Sequence, residues 1–291
     1  MSQLDGVLDN DTDADADALT ATLVAQAANG VVSLAANGSF TYAPTANTCG
    51  NDQFTYRASD AQAQSNVGIA RIAVACVNDA PVAADATFAL PENSSAATVV
   101  GQVVATDVDA GQVLAYAITG GNGSGAFAIS ATGQITVANA SALDVEATPQ
   151  FVLTVQVSDD ATPTSASDTA QVTINLSNVN EAPTASGLLA DRTAQEGVAI
   201  APFSVAVGFA DVDAGDDLDF AAAGLPNGLS LDAETGTVSG TPAAGSATGS
   251  PYTVTITATD SGGLSVQRTF AYTVTPGGTA DPQIFADGFE N

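Results

Sequence analysis

Side-chain oxygens recur at regular intervals along this 291-residue chain. The stretch Ser177-Asn178-Val179-Asn180-Glu181-Ala182-Pro183 has an earlier echo in Cys76-Val77-Asn78-Asp79-Ala80-Pro81, with the two prolines 102 residues apart. Asp107-Val108-Asp109-Ala110-Gly111 returns as Asp211-Val212-Asp213-Ala214-Gly215, 104 residues later. Short carboxylates and amides gathered in loops are hard donors, and calcium takes about six to eight such oxygens from several separate segments. The same residue types also form turns without any ion. Residue types alone leave both uses open.

The charge balance narrows the chemistry further. There are 32 Asp and Glu against four arginines, with no lysine or histidine, for a formal charge of −28. Such a surface repels phosphate backbones and anionic lipid, so nucleic acid is excluded as a partner and cations are favoured. Without histidine or lysine there is no Ser-His-Asp or Cys-His machinery, no Schiff-base lysine and no ordinary zinc site. Paired carboxylates could serve glycoside hydrolysis. The absence of Trp and the presence of only five Tyr leave little aromatic platform for a sugar, and the chain reads as non-catalytic. Cys49 and Cys76 are the only cysteines, and an even count in such a chain is expected to form one disulfide in an oxidising compartment. Closing that loop contributes about 3 kcal/mol on the chain-entropy view. No signal peptide is evident at Met1, and no apolar run is long enough to span a membrane.

The elements that must position these oxygens are strands. Val, Thr, Ile, Phe and Tyr fall in short alternating runs broken by 27 Gly and 12 Pro, with no long stretch at helical period. The spacing of the joints matches one small β-sandwich, which predicts an all-β chain of tandem sandwiches with little or no helix. The expected boundaries are 1–79, 80–180 and 181–276, followed by a flexible tail over 277–291. In the first repeat Asn37-Gly38 reads as a hairpin turn. Its acidic loop from Asp5 to Asp17 has no strand before it, so the repeat is expected to lack its first strand and the true N-terminus to lie beyond Met1. In the second repeat Phe151, Leu153, Val155 and Val157 share one strand face, as do Val172, Ile174 and Leu176, and both faces are expected in the core. In the third, Tyr252 to Asp260 alternates with threonines outward. The acidic motifs lie at the ends of such runs, where a sandwich gathers its loops.

Several ordered motifs carry a family resemblance. Gly38-Ser39-Phe40-Thr41-Tyr42 followed by Asp52-Gln53-Phe54-Thr55-Tyr56 resembles the cadherin-like and immunoglobulin-like tandem repeats of bacterial surface proteins. The second repeat runs through Pro91-Glu92-Asn93, Ala105 to Gly111, Phe127-Ala128-Ile129, Gly133-Gln134-Ile135, Leu143-Asp144-Val145-Glu146, Phe151 to Asp160 and the linker Asn178 to Pro183. That series resembles an extracellular cadherin repeat. Gly224-Leu225-Pro226-Asn227-Gly228-Leu229 through Gly236 to Pro242 is similar to the dystroglycan-type cadherin-like module. Ile284-Phe285-Ala286-Asp287-Gly288-Phe289-Glu290 resembles short C-terminal tails of exported proteobacterial proteins.

What the resemblance implies is an all-β fold of tandem Ig-like, cadherin-like Greek-key β-sandwiches, with calcium as cofactor held between repeats. At the second joint it implies Glu92, Asp144 and Glu146 from upstream, Asn180 and Glu181 from the linker, and Asp211, Asp213 and Asp260 from downstream. At the first joint it implies a weaker site from Asn78, Asp79, Asp107, Asp109 and Asp159, because the first repeat has no Pro-Glu-Asn or Leu-Asp-x-Glu segment. Asn178 and Glu181 stand where the family has Asp, Ala182 where it has Asn, and the proline comes one residue early, so fewer or looser ions are implied. Glu196 matches Glu92 in position and is expected to be solvated. Asp11 and Asp13 match the other Asp pairs, with no repeat before them. The function implied is a calcium-binding adhesion segment of an exported bacterial surface or secreted protein, with a protein, homophilic or heterophilic, or a cell-surface glycan as partner. The alternatives are a passive spacer and a glycan-binding or hydrolase accessory fragment.

Overall fold

The computed structural model describes residues 6–60 and 62–278. The chain divides into two compact units. One comprises Met1–Phe88, Ala96–Ala138 and Val152–Ile174; the other comprises Ala89–Ser95, Asn139–Phe151 and Asn175–Asn291. The division falls inside the second repeat, so the residues flanking each joint belong to a single unit: the first joint to one, the second to the other.

The first repeat holds β1 (Thr20–Ala25), β2 (Gly30–Leu34), β3 (Phe40–Pro44), β4 (Gly50–Ser59) and β5 (Gly68–Val74). β1, β4 and β5 form one antiparallel sheet in that order, and β2 and β3 form a hairpin. The hairpin turns at Asn37-Gly38 as the sequence predicts. Gly38 sits at φ +86°, open to glycine without strain, and Asn37 Oδ1 accepts from the Ser39 N–H and hydroxyl. Val7, Val32, Phe54, Tyr56 and Ile72 form the core, with Phe40 edge-on to Phe54 at 5.0 Å. Cys49 and Cys76 are disulfide-bonded.

The second repeat contains β6 (Val82–Ala83), β7 (Ala86–Pro91), β8 (Val99–Gln102), β9 (Ala105–Thr106), β10 (Ala115–Gly120), β11 (Phe127–Ile129), β12 (Gln134–Val137), β13 (Gln150–Ser158) and β14 (Ser167–Ser177). One sheet has the order β10-β13-β14-β7 and the other β11-β12-β8. The predicted core faces are buried: Leu153, Val155, Val157, Val172 and Ile174 are fully enclosed, and Phe151 and Leu176 nearly so. Alternation over two long strands is enough to specify this, because successive side chains take opposite faces of the pleat.

The third repeat contains β15 (Thr184–Ala185), β16 (Arg192–Gln195), β17 (Phe203–Ser204), β18 (Phe209–Ala210), β19 (Asp219–Ala223), β20 (Leu229–Leu231), β21 (Thr237–Gly240), β22 (Tyr252–Thr259) and β23 (Ser265–Thr275). Its sheets are ordered β16-β23-β22-β19 and β17-β21-β20. Val254, Ile256 and Ala258 of β22 point into a core shared with Val238, Phe270 and Tyr272, while the intervening threonines stay outside it. Among the described residues helix is limited to three single turns of 3-10 geometry, at Ala140–Ala142, Ala206–Gly208 and Ser246–Gly249. No helix among the described residues is long and apolar enough to cross a membrane. The tail motif Ile284 to Glu290 lies outside the described residues.

Candidate metal centre

A shared hydrogen bond sets the three repeats in correspondence. The N–H groups of Val7, Val103 and Val205 donate to the carbonyls of Gly38, Gly133 and Gly236 at 2.8, 2.9 and 2.8 Å, and all three valines are buried. Each acidic Asp-x-Asp loop leaves the sandwich a few residues after its valine.

At the second joint the loops converge within one unit. Pro183 is buried, which anchors the linker as the chain enters β15. The Glu181 N–H donates to Asp213 Oδ2 at 2.7 Å, and the Asp213 N–H donates to Asp211 Oδ1 at 3.0 Å. The Asn180 amide donates to Asp260 Oδ2 at 3.1 Å, while Asp260 Oδ1 accepts from the Leu264 N–H at 2.8 Å. Upstream, Glu92 is only 2 % exposed and is fixed by two backbone donors, Val145 N–H to Oε2 at 2.7 Å and Val179 N–H to Oε1 at 2.8 Å. Glu92, Glu146 and Asp213 each bring one oxygen into a group spanning no more than 4.8 Å, and so do Asp211, Asp213 and Asp216. Asp144 and Glu181 lie outside these two groups. Asp144 Oδ1 accepts from Ala147 N–H at 2.8 Å, and Glu181 Oε1 accepts from the Asn93 amide at 2.8 Å.

The electrostatics show what is missing from this arrangement. Partial loss of solvent raises the Glu146 carboxyl above its usual range, and the charges of Glu92, Asp213 and Asp144 push the same way. Asp211 Oδ2 and Asp213 Oδ1 are buried without a hydrogen-bond partner. Carboxylate oxygens out of water and out of hydrogen bonds are costly unless a positive charge meets them. With no cationic side chain in the cluster, the donor set is all oxygen and suits a hard divalent ion.

The first joint repeats the downstream half of this pattern residue for residue. Pro81 is buried, the Asp79 N–H donates to Asp109 Oδ2 at 2.8 Å, and the Asp109 N–H donates to Asp107 Oδ1 at 2.8 Å. The Asn78 amide donates to Asp159 Oδ2 at 2.9 Å, and Asp107 Oδ2 is buried without a partner. Burial works to raise the Asp159 pKa, but hydrogen bonds from Asn78, Ala166 and Ala161 outweigh it and hold the group below its ordinary range. Gln112 bonds Asn78 Oδ1 at 2.6 Å. Among the described residues no upstream glutamates face this loop in a group like that of Glu92 and Glu146.

Glu196 is half-buried rather than solvated: its carboxylate accepts from the Ala247 N–H at 2.6 Å and the Gly277 N–H at 3.5 Å, the same two-donor clasp that holds Glu92. The donors are the Ala247 N–H in the turn Ser246–Gly249 and the Gly277 N–H just past the end of β23. Asp216 and Gly262 were missed. Asp216 lies outside the Asp-Val-Asp-Ala-Gly string, and only the turn after Gly215 brings it back. Gly262 approaches the Asn180 carboxamide so closely that an added Cβ would collide with it. The Asp-Gly-rich run Asp260-Ser261-Gly262-Gly263 was the available signal. Asp13, Asp17 and Asp60 also group within 4.8 Å, at an exposed end of the first repeat.

Residues 2–73 match the family described as Bacterial Ig domain, residues 86–177 the Cadherin domain, and residues 182–275 the family named Putative Ig domain. The Protocadherin-like wing polarity protein stan of Drosophila melanogaster is 31% identical over 189 residues, covering 61% of this chain and 5% of that protein. The chain thus spans about one-twentieth of that relative's length. Among solved structures, mouse cadherin-23 EC22-24 aligns with a TM-score of 0.63 at 22% identity, covering 89% of this chain and 86% of the other. Protocadherin gamma B2 extracellular cadherin domains 1-5 align with a TM-score of 0.66 at 20% identity, covering 91% and 54%. Mouse protocadherin-24 EC1-3 gives 0.62 at 18%, covering 88% and 89%. The fold is therefore that of tandem Ig-type cadherin ectodomain repeats.

Proposed function

We propose that this chain is a non-catalytic, calcium-binding adhesion segment of an exported bacterial surface or secreted protein, its ions holding the joints between repeats. The observation that carries the reading is the pair of buried, unpartnered oxygens on Asp211 and Asp213, beside Glu92 and Glu146 with no cation among them. The residues that hold the ion at the second joint are Glu92, Glu146, Asp211 and Asp213, with Asp216 added to the set read from sequence. Asp144, Asn180, Glu181 and Asp260 complete it or brace it. A divalent cation supplies the positive charge that these carboxylates otherwise lack. Asn78, Asp79, Asp107, Asp109 and Asp159 offer a weaker site at the first joint, because their upstream carboxylates are absent.

The resemblance to cadherin ectodomains supports an extracellular place and a protein partner. Affinities of extracellular calcium modules are about 10⁻⁴–10⁻³ M. At tenfold excess the linkage contributes roughly 1.4 kcal/mol per site, enough to stiffen a joint but not to fold a domain. Isothermal titration with calcium is expected to resolve a tighter and a weaker site in the wild-type chain. Glu146→Ala should abolish the tighter one and spare the other. Unchanged titration in the variant, or no heat at millimolar calcium in the wild type, would sink the reading.

A further inference from the structure

The third repeat holds a cavity of about 330 Å³ lined by Arg192, Ala194, Val198, Ile200, Phe203 and Tyr272 among others. It lies at the seam of the sandwich, because β16 and β23 bring Arg192 and Tyr272 from one sheet and β17 brings Phe203 from the other. Arg192 and Tyr272 are register partners in the parallel pair β16–β23, and Phe203 stacks on Tyr272 with ring centres 6.4 Å apart. The Arg192 guanidinium sits 4.4 Å from the centre of the Phe203 ring. Two polar groups at this seam are unused. Tyr272 is only 1% exposed, yet its hydroxyl has no hydrogen-bond partner among the described residues, whereas the buried Tyr56 donates to the Val7 carbonyl at 2.9 Å. A buried tyrosine hydroxyl ordinarily finds an acceptor, and the cavity is where one can reach this group. Arg192 is one of four cationic side chains in the chain, and among the described residues no carboxylate pairs with it. Its acidic neighbours are engaged elsewhere: Asp191 accepts from the Ala271 N–H at 2.8 Å, and Glu196 is held by the Ala247 and Gly277 N–H groups.

We propose that this seam binds a carboxylate carried on an apolar body, the carboxylate meeting the Arg192 guanidinium and the Tyr272 hydroxyl and the body lying against Val198, Ile200 and Phe203. A guanidinium presents paired donors that match the two oxygens of a carboxylate, and the hydroxyl adds a further donor. Loss of solvent raises the Tyr272 pKa, and although the Arg192 charge works the other way, the hydroxyl remains a protonated donor at neutral pH. Arg192 is exposed, so it meets a ligand without a buried charge having to move. Apolar walls with a few convergent polar groups are the usual make-up of a small-molecule site, and this volume falls at the small end of the range of about 300–1,000 Å³. A purely structural role for Arg192 as a cover over Phe203 accounts for the ring contact but leaves the Tyr272 hydroxyl unexplained. The inference shares no residue with the calcium reading.

The test uses the full chain, isotope-labelled for amide NMR at physiological salt, where screening limits repulsion between an anion and the acidic surface. Phenylpropionate is expected to give saturable shifts confined to residues 192–203 and the neighbourhood of Tyr272, with affinity on the order of millimolar. Phenylpropanol, which has the same body without the charge, should bind about tenfold more weakly, and acetate, which lacks the body, should not saturate. Tyr272→Phe keeps the ring stack and removes only the hydroxyl. It should weaken phenylpropionate about tenfold with no fall in Tm, because no bond within the protein is lost. Arg192→Gln, its folded state checked by melting, should abolish saturation. Adding or chelating calcium should change none of this. Tighter binding of the dipeptide acetyl-Ala-Phe than of phenylpropionate would identify the source as a peptide C-terminus and the reverse a free acid; either supports the proposal. Absence of saturable shifts overturns it, as do shifts centred elsewhere in the chain. Equal affinity for the alcohol, or full affinity in Tyr272→Phe, overturns it too, because neither the carboxylate nor the hydroxyl is then what the seam recognises.

Discussion

A single side chain here stabilises by whichever donors reach it, and the carboxylates sort accordingly. Asp52, read in the sequence only as part of a family motif, is buried and accepts from the N–H groups of Ala28, Asn29 and Gln53 and from the Tyr42 hydroxyl at 2.8 Å. Burial alone would raise its pKa, but those four donors outweigh it and hold the group below the ordinary Asp range. A depressed folded-state pKa gives stability that is complete above the unfolded-state value and is lost as pH falls through the folded one. Acid unfolding of the first repeat should therefore begin below the usual Asp range, and Asp52→Asn should flatten that dependence and lower its Tm at neutral pH. Melting curves from pH 7 to pH 2 decide the point; an unshifted variant would contradict it. Gly262 is the counterpart at the second joint. Gly262→Ala should displace the Asn180 amide from Asp260 and weaken the tighter calcium site, with little change in Tm without calcium, as titration and calorimetry on one sample can show.

The strands differ in how firmly they are tied. β13 and β14 carry the second repeat through continuous alternation, and their burial follows directly from it. The first repeat has a smaller sheet and relies on the Cys49–Cys76 bridge, which joins the start of β4 to the chain just beyond β5 across 27 residues. Reduction should destabilise this repeat by about 3 kcal/mol through the freed unfolded chain, leaving the third repeat, which has no cysteine, unaffected. Differential scanning calorimetry with and without reductant should show one transition moving and another staying. A common shift of both would mean that the repeats melt together and that the bridge acts beyond its own sandwich.

For the chain as a whole, the calcium reading predicts local ordering rather than new folding. Hydrogen exchange at Ser177–Pro183 should slow on adding millimolar calcium, and the core strands β13 and β22 should exchange as before. Exchange at Cys76–Pro81 should respond less, because that joint lacks the upstream glutamates. Equal protection at both joints would mean that Glu92 and Glu146 contribute nothing specific. The family matches to residues 2–73, 86–177 and 182–275 agree in order with the three repeats read from the sequence.

Sequence alone determined the all-β class, the disulfide pair and the buried faces of the long strands, because each rests on local periodicity or a two-member choice. It also indicated the joint from Ser177 to Pro183 as a place where oxygens gather. Tertiary structure decided which of those oxygens meet. Glu92 and Glu146 reach Asp213, Asp144 and Glu181 turn to local N–H and amide partners, Asp216 joins, and Glu196 is clasped. The physical reason is that the oxygens at a joint come from loops far apart in the chain, where turn geometry and backbone donors, not spacing, set the direction of each carboxylate.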